Sequence, residues 1–145
     1  MDSPNAQEAF RTYDPMRILV VDDDDTNRLV VRLLMERRGH EIIEAASGQI
    51  ALDTLSAQDI DLVFMDLSMP MMDGFETVRR FRSTTKNARQ IPIIALTAHT
   101  TQEDRRRCFE AGMNGLIAKP LNVTSVDTVM ALVRDQGESD APRLT

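Results

Sequence analysis

A single cysteine, Cys108, is all that the 145 residues offer for disulfide chemistry, so no internal bridge can form. That scarcity fits a reducing, cytoplasmic location. Basic charge is in deficit: 17 Lys and Arg face 23 Asp and Glu, for a net charge of -6. A general nucleic-acid binder needs a basic surface for phosphate, so that class is set aside. No apolar run approaches the length of a membrane span, and the N-terminus lacks the charged-then-apolar pattern of a signal peptide. There is no internal repeat, no Gly-x-Gly-x-x-Gly and no linker long enough to divide the chain. What remains, 42% hydrophobic and 28% charged, has the composition of one soluble globular domain.

The most informative stretch is Ile60-Asp61-Leu62-Val63-Phe64-Met65-Asp66, an apolar run that ends abruptly in a carboxylate and is followed by Pro70 and Asp73-Gly74. Such runs read as buried strands. Ile18 to Val21 is a second, ending in Asp22-Asp23-Asp24-Asp25; Glu41 to Ala45 is a short third; Ile91 to Leu96 ends in Thr97; and Gly115 to Ala118 ends in Lys119-Pro120. Helical patterns lie between and after them. From Thr26, Leu29, Val30, Leu33 and Leu34 predict an inward stripe that stops at Gly39. Ser47 caps a helix with Ile50, Ala51 and Leu55 inward, and Phe75, Val78 and Phe81 share one face between Gly74 and Arg82. Thr100 with Glu103 predicts a capping box for a helix that reaches Ala111 and stops at Gly112. A last helix spans about Asn122 to Asp135, with Val126, Val129, Met130 and Val133 inward. Residues 1–15 read as a flexible tail, 83–90 as a polar connector, 16–135 as the domain and 136–145 as a second tail.

Five strands alternating with five helices predict a single doubly wound α/β domain with a five-stranded parallel sheet and right-handed crossovers. In such a sheet the strands' carboxyl ends share one edge, where ligands bind. That edge would gather Asp22, Asp23, Asp66, Thr97 and Lys119. Converging carboxylates repel and raise one another's pKa values unless a cation intervenes, and oxygen ligands suit Mg2+. A metal that offsets the charge of one aspartate and of an incoming phosphoryl group would make that aspartate a phosphoacceptor. Lys119 can pair with the same charge, and the Thr97 hydroxyl can hydrogen-bond a phosphoryl oxygen.

Val20-Val21-Asp22-Asp23, Asp66-Leu67-Ser68-Met69-Pro70-x-Met72-Asp73-Gly74, Ala95-Leu96-Thr97-Ala98 and Ala118-Lys119-Pro120 stand in the order and spacing of a known family. Over roughly residues 16 to 135 the chain resembles the receiver domain of two-component response regulators, whose topology is flavodoxin-like. The resemblance implies that Asp66 takes a phosphoryl group from a phosphohistidine of a sensor histidine kinase or a histidine phosphotransfer protein. It implies direct Mg2+ ligation, with Mn2+ a possible substitute, by Asp23, Asp66 and the Ser68 backbone carbonyl, and by Asp22 largely through water. Thr97 would report phosphorylation, Lys119 would hold the phosphoryl group, and the Lys119–Pro120 bond would be cis. Ser68 and His99 would tune the phosphoryl lifetime. Leu116, directly after Gly115, stands where receivers often carry Tyr or Phe, which argues against aromatic switching of the usual kind. The fourth helix, fifth strand and fifth helix would form the downstream partner face. Asn27-Arg28 and Ala95 to Ala98 are worded like receivers attached to hybrid histidine kinases, so both a single-domain regulator and a piece of such a kinase are expected forms.

Plainer roles are expected for several residues. Asp24 or Asp25 caps the first helix; Met65, Met69, Met71 and Met72 fill gaps around the site; Cys108 half-packs without reactivity; His40 and His99 are too isolated to ligate metal; Arg105-Arg106-Arg107 form a solvated face. An enzymatic alternative uses Asp22-x-Asp24-x-Thr26, which matches the nucleophile signature of haloacid-dehalogenase-like phosphatases, with Asp22 attacking and Asp24 as general acid. It leaves Asp66 without a role. A flavodoxin-like nucleotide carrier fails on electrostatics, since four aspartates would face its phosphate. The expectation is therefore a phosphoacceptor switch that turns over no external substrate.

Overall fold

The computed structural model describes residues 15–84 and 91–139. Residues 1–14 of the expected tail 1–15, residues 85–90 of the connector and residues 140–145 of the second tail lie outside the described residues. The elements alternate without exception: β1 (Arg17–Val21), α1 (Asp25–Glu36), β2 (Glu41–Ala45), α2 (Gly48–Ala57), β3 (Leu62–Asp66), α3 (Gly74–Arg82), β4 (Ile93–Thr97), α4 (Gln102–Ala111), β5 (Gly115–Ala118) and α5 (Val123–Ser139). The strands pair in parallel in the order β2-β1-β3-β4-β5. The doubly wound expectation holds.

The alternation of side chains along each strand divides the core into two layers. Leu19, Val21, Val63, Met65, Ile93 and Ala95 face one side, where they meet Ala51 of α2, Phe75, Val78 and Phe81 of α3, and Cys108 and Ala111 of α4. Ile18, Val20, Leu62, Phe64, Ile94 and Leu96 face the other, against Val31 and Met35 of α1 and Val126, Val129, Met130 and Val133 of α5. Strands buried on both faces must be apolar throughout, which is why these runs were nearly unbroken in the sequence.

Four local details differ from expectation. In α1 the buried residues are Val31 and Met35, while Leu29 and Leu33 are 51% and 58% exposed. In α2, Ala51 is inward but Ile50 is exposed. The capping box of α4 is Thr101 with Asp104, one residue beyond Thr100 and Glu103; Thr100-Thr101-Gln102-Glu103-Asp104 contains both overlapping patterns, and the Thr101 hydroxyl donates to Asp104 Oδ2 at 2.8 Å. Helix α5 continues past Asp135 to Ser139. The Gly112 stop is as expected, with φ 107° in the left-handed region.

Candidate functional site

The sheet's order reverses between β1 and β3, which are neighbours, and this opens a crevice beyond their carboxyl ends. Val21 pairs with Met65, so Asp22 and Asp66 emerge side by side one residue later. Thr97 ends β4 opposite Ala118, which delivers Lys119 to the same edge. Asp66 and Asp22 are 2% and 1% exposed, Thr97 is buried, and Asp23 is exposed.

Lys119 Nζ donates to Asp66 Oδ1 at 2.7 Å and lies 3.3 Å from Asp22 Oδ2. The Ser68 backbone N–H also donates to Asp66 Oδ1, at 3.3 Å. Asp22 Oδ1 accepts from the Asp24 backbone N–H at 2.9 Å. Asp22 Oδ2 is buried with no hydrogen bond, so its contact with Lys119 is attraction between charges only. One carboxylate oxygen from each of Asp22, Asp23 and Asp66 lies within 4.8 Å of the others.

Three carboxylates against one ammonium leave a local surplus of negative charge. Burial, and secondarily the charge of Asp22, push the pKa of Asp66 up, although the hydrogen bond from Lys119 pulls the other way. Burial would lower the pKa of Lys119, but its hydrogen bond and attraction to Asp66, with Asp22 behind, raise it overall. An all-oxygen cluster with an unsatisfied buried oxygen fits a hard dication.

Two further residues build the site. A Cβ on Gly74 would lie 2.4 Å from the Asp66 carbonyl oxygen, so only glycine lets the start of α3 pack against the strand end that carries Asp66. The Asp73-Gly74 pair that follows the strand was the available signal. Arg28, in the first turn of α1, donates from Nη1 to the Asp22 carbonyl at 2.6 Å. Nothing in the residue types alone predicts a bond to a backbone oxygen.

The remaining expected residues fall around this centre. The Thr97 hydroxyl accepts from the His99 backbone N–H at 3.0 Å, and His99 and Ser68 are exposed at the rim. The Lys119–Pro120 bond is cis, as expected. Leu116 is buried among the core residues rather than at the surface. Met65 and Met69 are buried gap-fillers, but Met71 corrects the expectation: its φ is 72° and its side chain is fully exposed. The left-handed turn throws it outward. Of the three arginines of α4, Arg106 pairs with Glu103 and Glu110, and Arg107 stacks over the Phe75 ring at 4.2 Å, so that face is not wholly solvated. Cys108 is fully buried rather than half-packed, and burial pushes its thiol up to about 11. Asp24 is the cap of α1, with its carboxylate accepting from the Thr26 and Asn27 backbone N–H groups. Asp24 thus has the capping role expected of it.

Comparison with known proteins agrees with this geometry. Residues 18–131 match the family model of the response regulator receiver domain. The chain is 32% identical over 133 residues to the sensor histidine kinase RcsC of Escherichia coli, which covers 92% of this chain but 14% of RcsC. It is 35% identical over 108 residues to the sensor protein GacS of Pseudomonas syringae, covering 73% of the chain and 12% of GacS. It thus spans only a small part of the length of these relatives. Among solved structures, the chemotaxis protein CheY4 of Vibrio cholerae superposes with a TM-score of 0.77 at 29% identity, covering 83% of this chain and 99% of CheY4. The receiver domain of the sensor histidine kinase PA1611 from Pseudomonas aeruginosa, solved with a magnesium ion in its active-site cleft, has a TM-score of 0.73 at 33% identity, covering 81% of this chain and 95% of that one. Nothing among these relatives supports a phosphatase. The chain belongs to the response regulator receiver domain family of two-component systems.

Proposed function

We propose that Asp66 accepts a phosphoryl group from a phosphohistidine, with Mg2+ or, in its place, Mn2+ held by Asp23, Asp66, the Ser68 backbone carbonyl and, through water, Asp22. The observation that carries this reading is the surplus itself: Asp66 is buried, gripped at Oδ1 by Lys119 at 2.7 Å, and one of three carboxylates within 4.8 Å. A bound dication would neutralise charge on both the carboxylate and the phosphoryl group. The chain supplies the rest. One Asp66 carboxylate oxygen forms the P–O bond as the P–N bond to the donor imidazole breaks, with Lys119, which donates to Oδ1 at 2.7 Å, beside the developing charge. The donor ring carries a proton on its other nitrogen, so the departing nitrogen keeps the P–N electron pair and the ring leaves as neutral imidazole. The Thr97 hydroxyl, at the end of β4, then donates to a phosphoryl oxygen, and Lys119 pairs with another.

The donor is a sensor histidine kinase or a histidine phosphotransfer protein, and the domain acts as a cytoplasmic switch with no external substrate. Thr97 leads into α4 and Lys119 into α5, so their adjustment to a phosphoryl group reaches the face of α4, β5 and α5, to which we assign the downstream partner. Leu116 leaves no ring on β5 to swing, so Thr97 and the loop after it carry the signal, with His99 and Ser68 setting access of water to the acyl phosphate. No helix among the described residues is long and apolar enough to cross a membrane.

Intact mass after incubation with Mg2+ and acetyl phosphate tests this reading. The expected result is a gain of one phosphoryl group, stable in acid, labile in base and absent from Asp66→Asn. An unmodified wild type, or a modified Asn variant, would overturn the assignment of Asp66.

A further inference from the structure

Arg28 makes three contacts at the edge of the site, and only one of them reaches the acidic loop. Its Nη1 donates to the Asp22 carbonyl at 2.6 Å, its Nε donates to Glu44 Oε1 at 2.9 Å, and its other terminal nitrogen pairs with Asp25. Glu44, at the end of β2, is in turn held by Arg32 Nε through Oε2 at 2.9 Å. The Arg28 side chain is only 12% exposed.

The carbonyl that Arg28 grips belongs to the peptide joining Asp22 to Asp23. Asp22 is otherwise pinned on both sides: its N–H donates to the Ala45 carbonyl at 3.1 Å and its Oδ1 accepts from Asp24. The Asp23 carboxylate is exposed, with one oxygen within 4.8 Å of the others in the cluster. Arg28 holds the carbonyl of the peptide that carries Asp23, which is the side-chain contact on that peptide among the described residues. A planar guanidinium can bond a carbonyl and a carboxylate at once from separate nitrogens, which a compact lysine ammonium does poorly.

We propose that Arg28 is a positioning residue that aims Asp23 at the divalent cation by holding the Asp22 carbonyl, and that Glu44 fixes Arg28 for this task. The inference rests on the metal-binding reading above. It runs against simple electrostatics, because a cation beside an acidic cluster weakens the binding of another cation. Removing Arg28 should therefore tighten Mg2+ binding if only charge matters and loosen it if position matters. The sign decides.

The test is calorimetric titration of the full chain with Mg2+, for wild type, Arg28→Ala, Arg28→Lys, Glu44→Gln and the Arg28→Ala/Glu44→Gln double variant, with thermal melts in metal-free buffer beside each. Loss of an outer-shell partner of this kind commonly weakens metal affinity about 10-fold or more. The expected results are a weakening of about that size in Arg28→Ala, partial recovery in Arg28→Lys, and a smaller loss in Glu44→Gln that does not add to the loss in Arg28→Ala. Unchanged or tighter Mg2+ binding in Arg28→Ala, with wild type binding normally, overturns the role of Arg28 and leaves the receiver reading intact. A wild type that binds no Mg2+ overturns the metal-binding reading and this inference with it. If Arg28→Ala does not fold, Arg28→Lys decides, since it keeps the charge and loses only the planar fork: weaker Mg2+ binding supports the role of position and wild-type affinity overturns it.

Discussion

The two ends of the sheet hold charge in opposite ways. At the amino end, Arg17 pairs with Glu41 at 2.7 Å and its backbone N–H donates to Asp61, all in solvent, with the two side chains 42% and 60% exposed. At the carboxyl end, Asp22 and Asp66 are almost wholly buried with one lysine between them. Solvated pairs of the first kind contribute little, because water already satisfies both partners. Charge buried beyond its compensation is costly, and a fold keeps it where a ligand will complete it. The same residue types thus decorate one edge and make the other reactive.

The largest test of that contrast removes one cation from each end. Lys119→Met leaves two buried carboxylates facing each other and is expected to cost about 2–4 kcal/mol in urea unfolding without divalent ions. Arg17→Met is expected to leave the urea midpoint almost unchanged, because water already satisfies both partners. Equal losses would erase the distinction between the edges. Gly74→Ala comes next, at about 1–3 kcal/mol, because a methyl group would press on the Asp66 carbonyl. A smaller effect of opposite sign is expected for Asp66→Asn. The raised pKa of Asp66 means that the folded state binds more protons than the unfolded one just above pH 3.8, so stability falls as pH rises through the folded value. At neutral pH the Asn variant should therefore melt above wild type in metal-free buffer, and the gap should close as pH falls below 3.8. At neutral pH the least effect belongs to Cys108. Its thiol, raised to about 11, should resist iodoacetamide at pH 8 until the chain unfolds, and its share of stability should fade as pH rises from about 9 toward 11.

The sequence exposed the site more clearly than the surfaces around it, for a physical reason. Strands buried on both faces tolerate no polar residue, so Asp22, Asp66 and Thr97 stood out as the points where apolar runs broke. The order of those breaks carried the topology as well. In α1, by contrast, six of the seven residues from Leu29 to Met35 are apolar, so the helical period alone could not select a face. The sheet selected Val31 and Met35. The place of Arg28 at the site was not legible because its partner there is a carbonyl, which every residue has. Met71 escaped because the left-handed turn after Pro70 is decided by backbone geometry rather than by the methionine.

The central claim is that the carboxyl edge holds more negative charge than the protein itself satisfies and that a dication supplies the remainder. The most direct measurement follows the melting temperature at neutral pH as Mg2+ is added, for wild type, Asp23→Asn and Asp66→Asn. The account predicts a saturating rise in wild type that is largely lost in both variants. An equal rise in all three, or none in wild type, would contradict it.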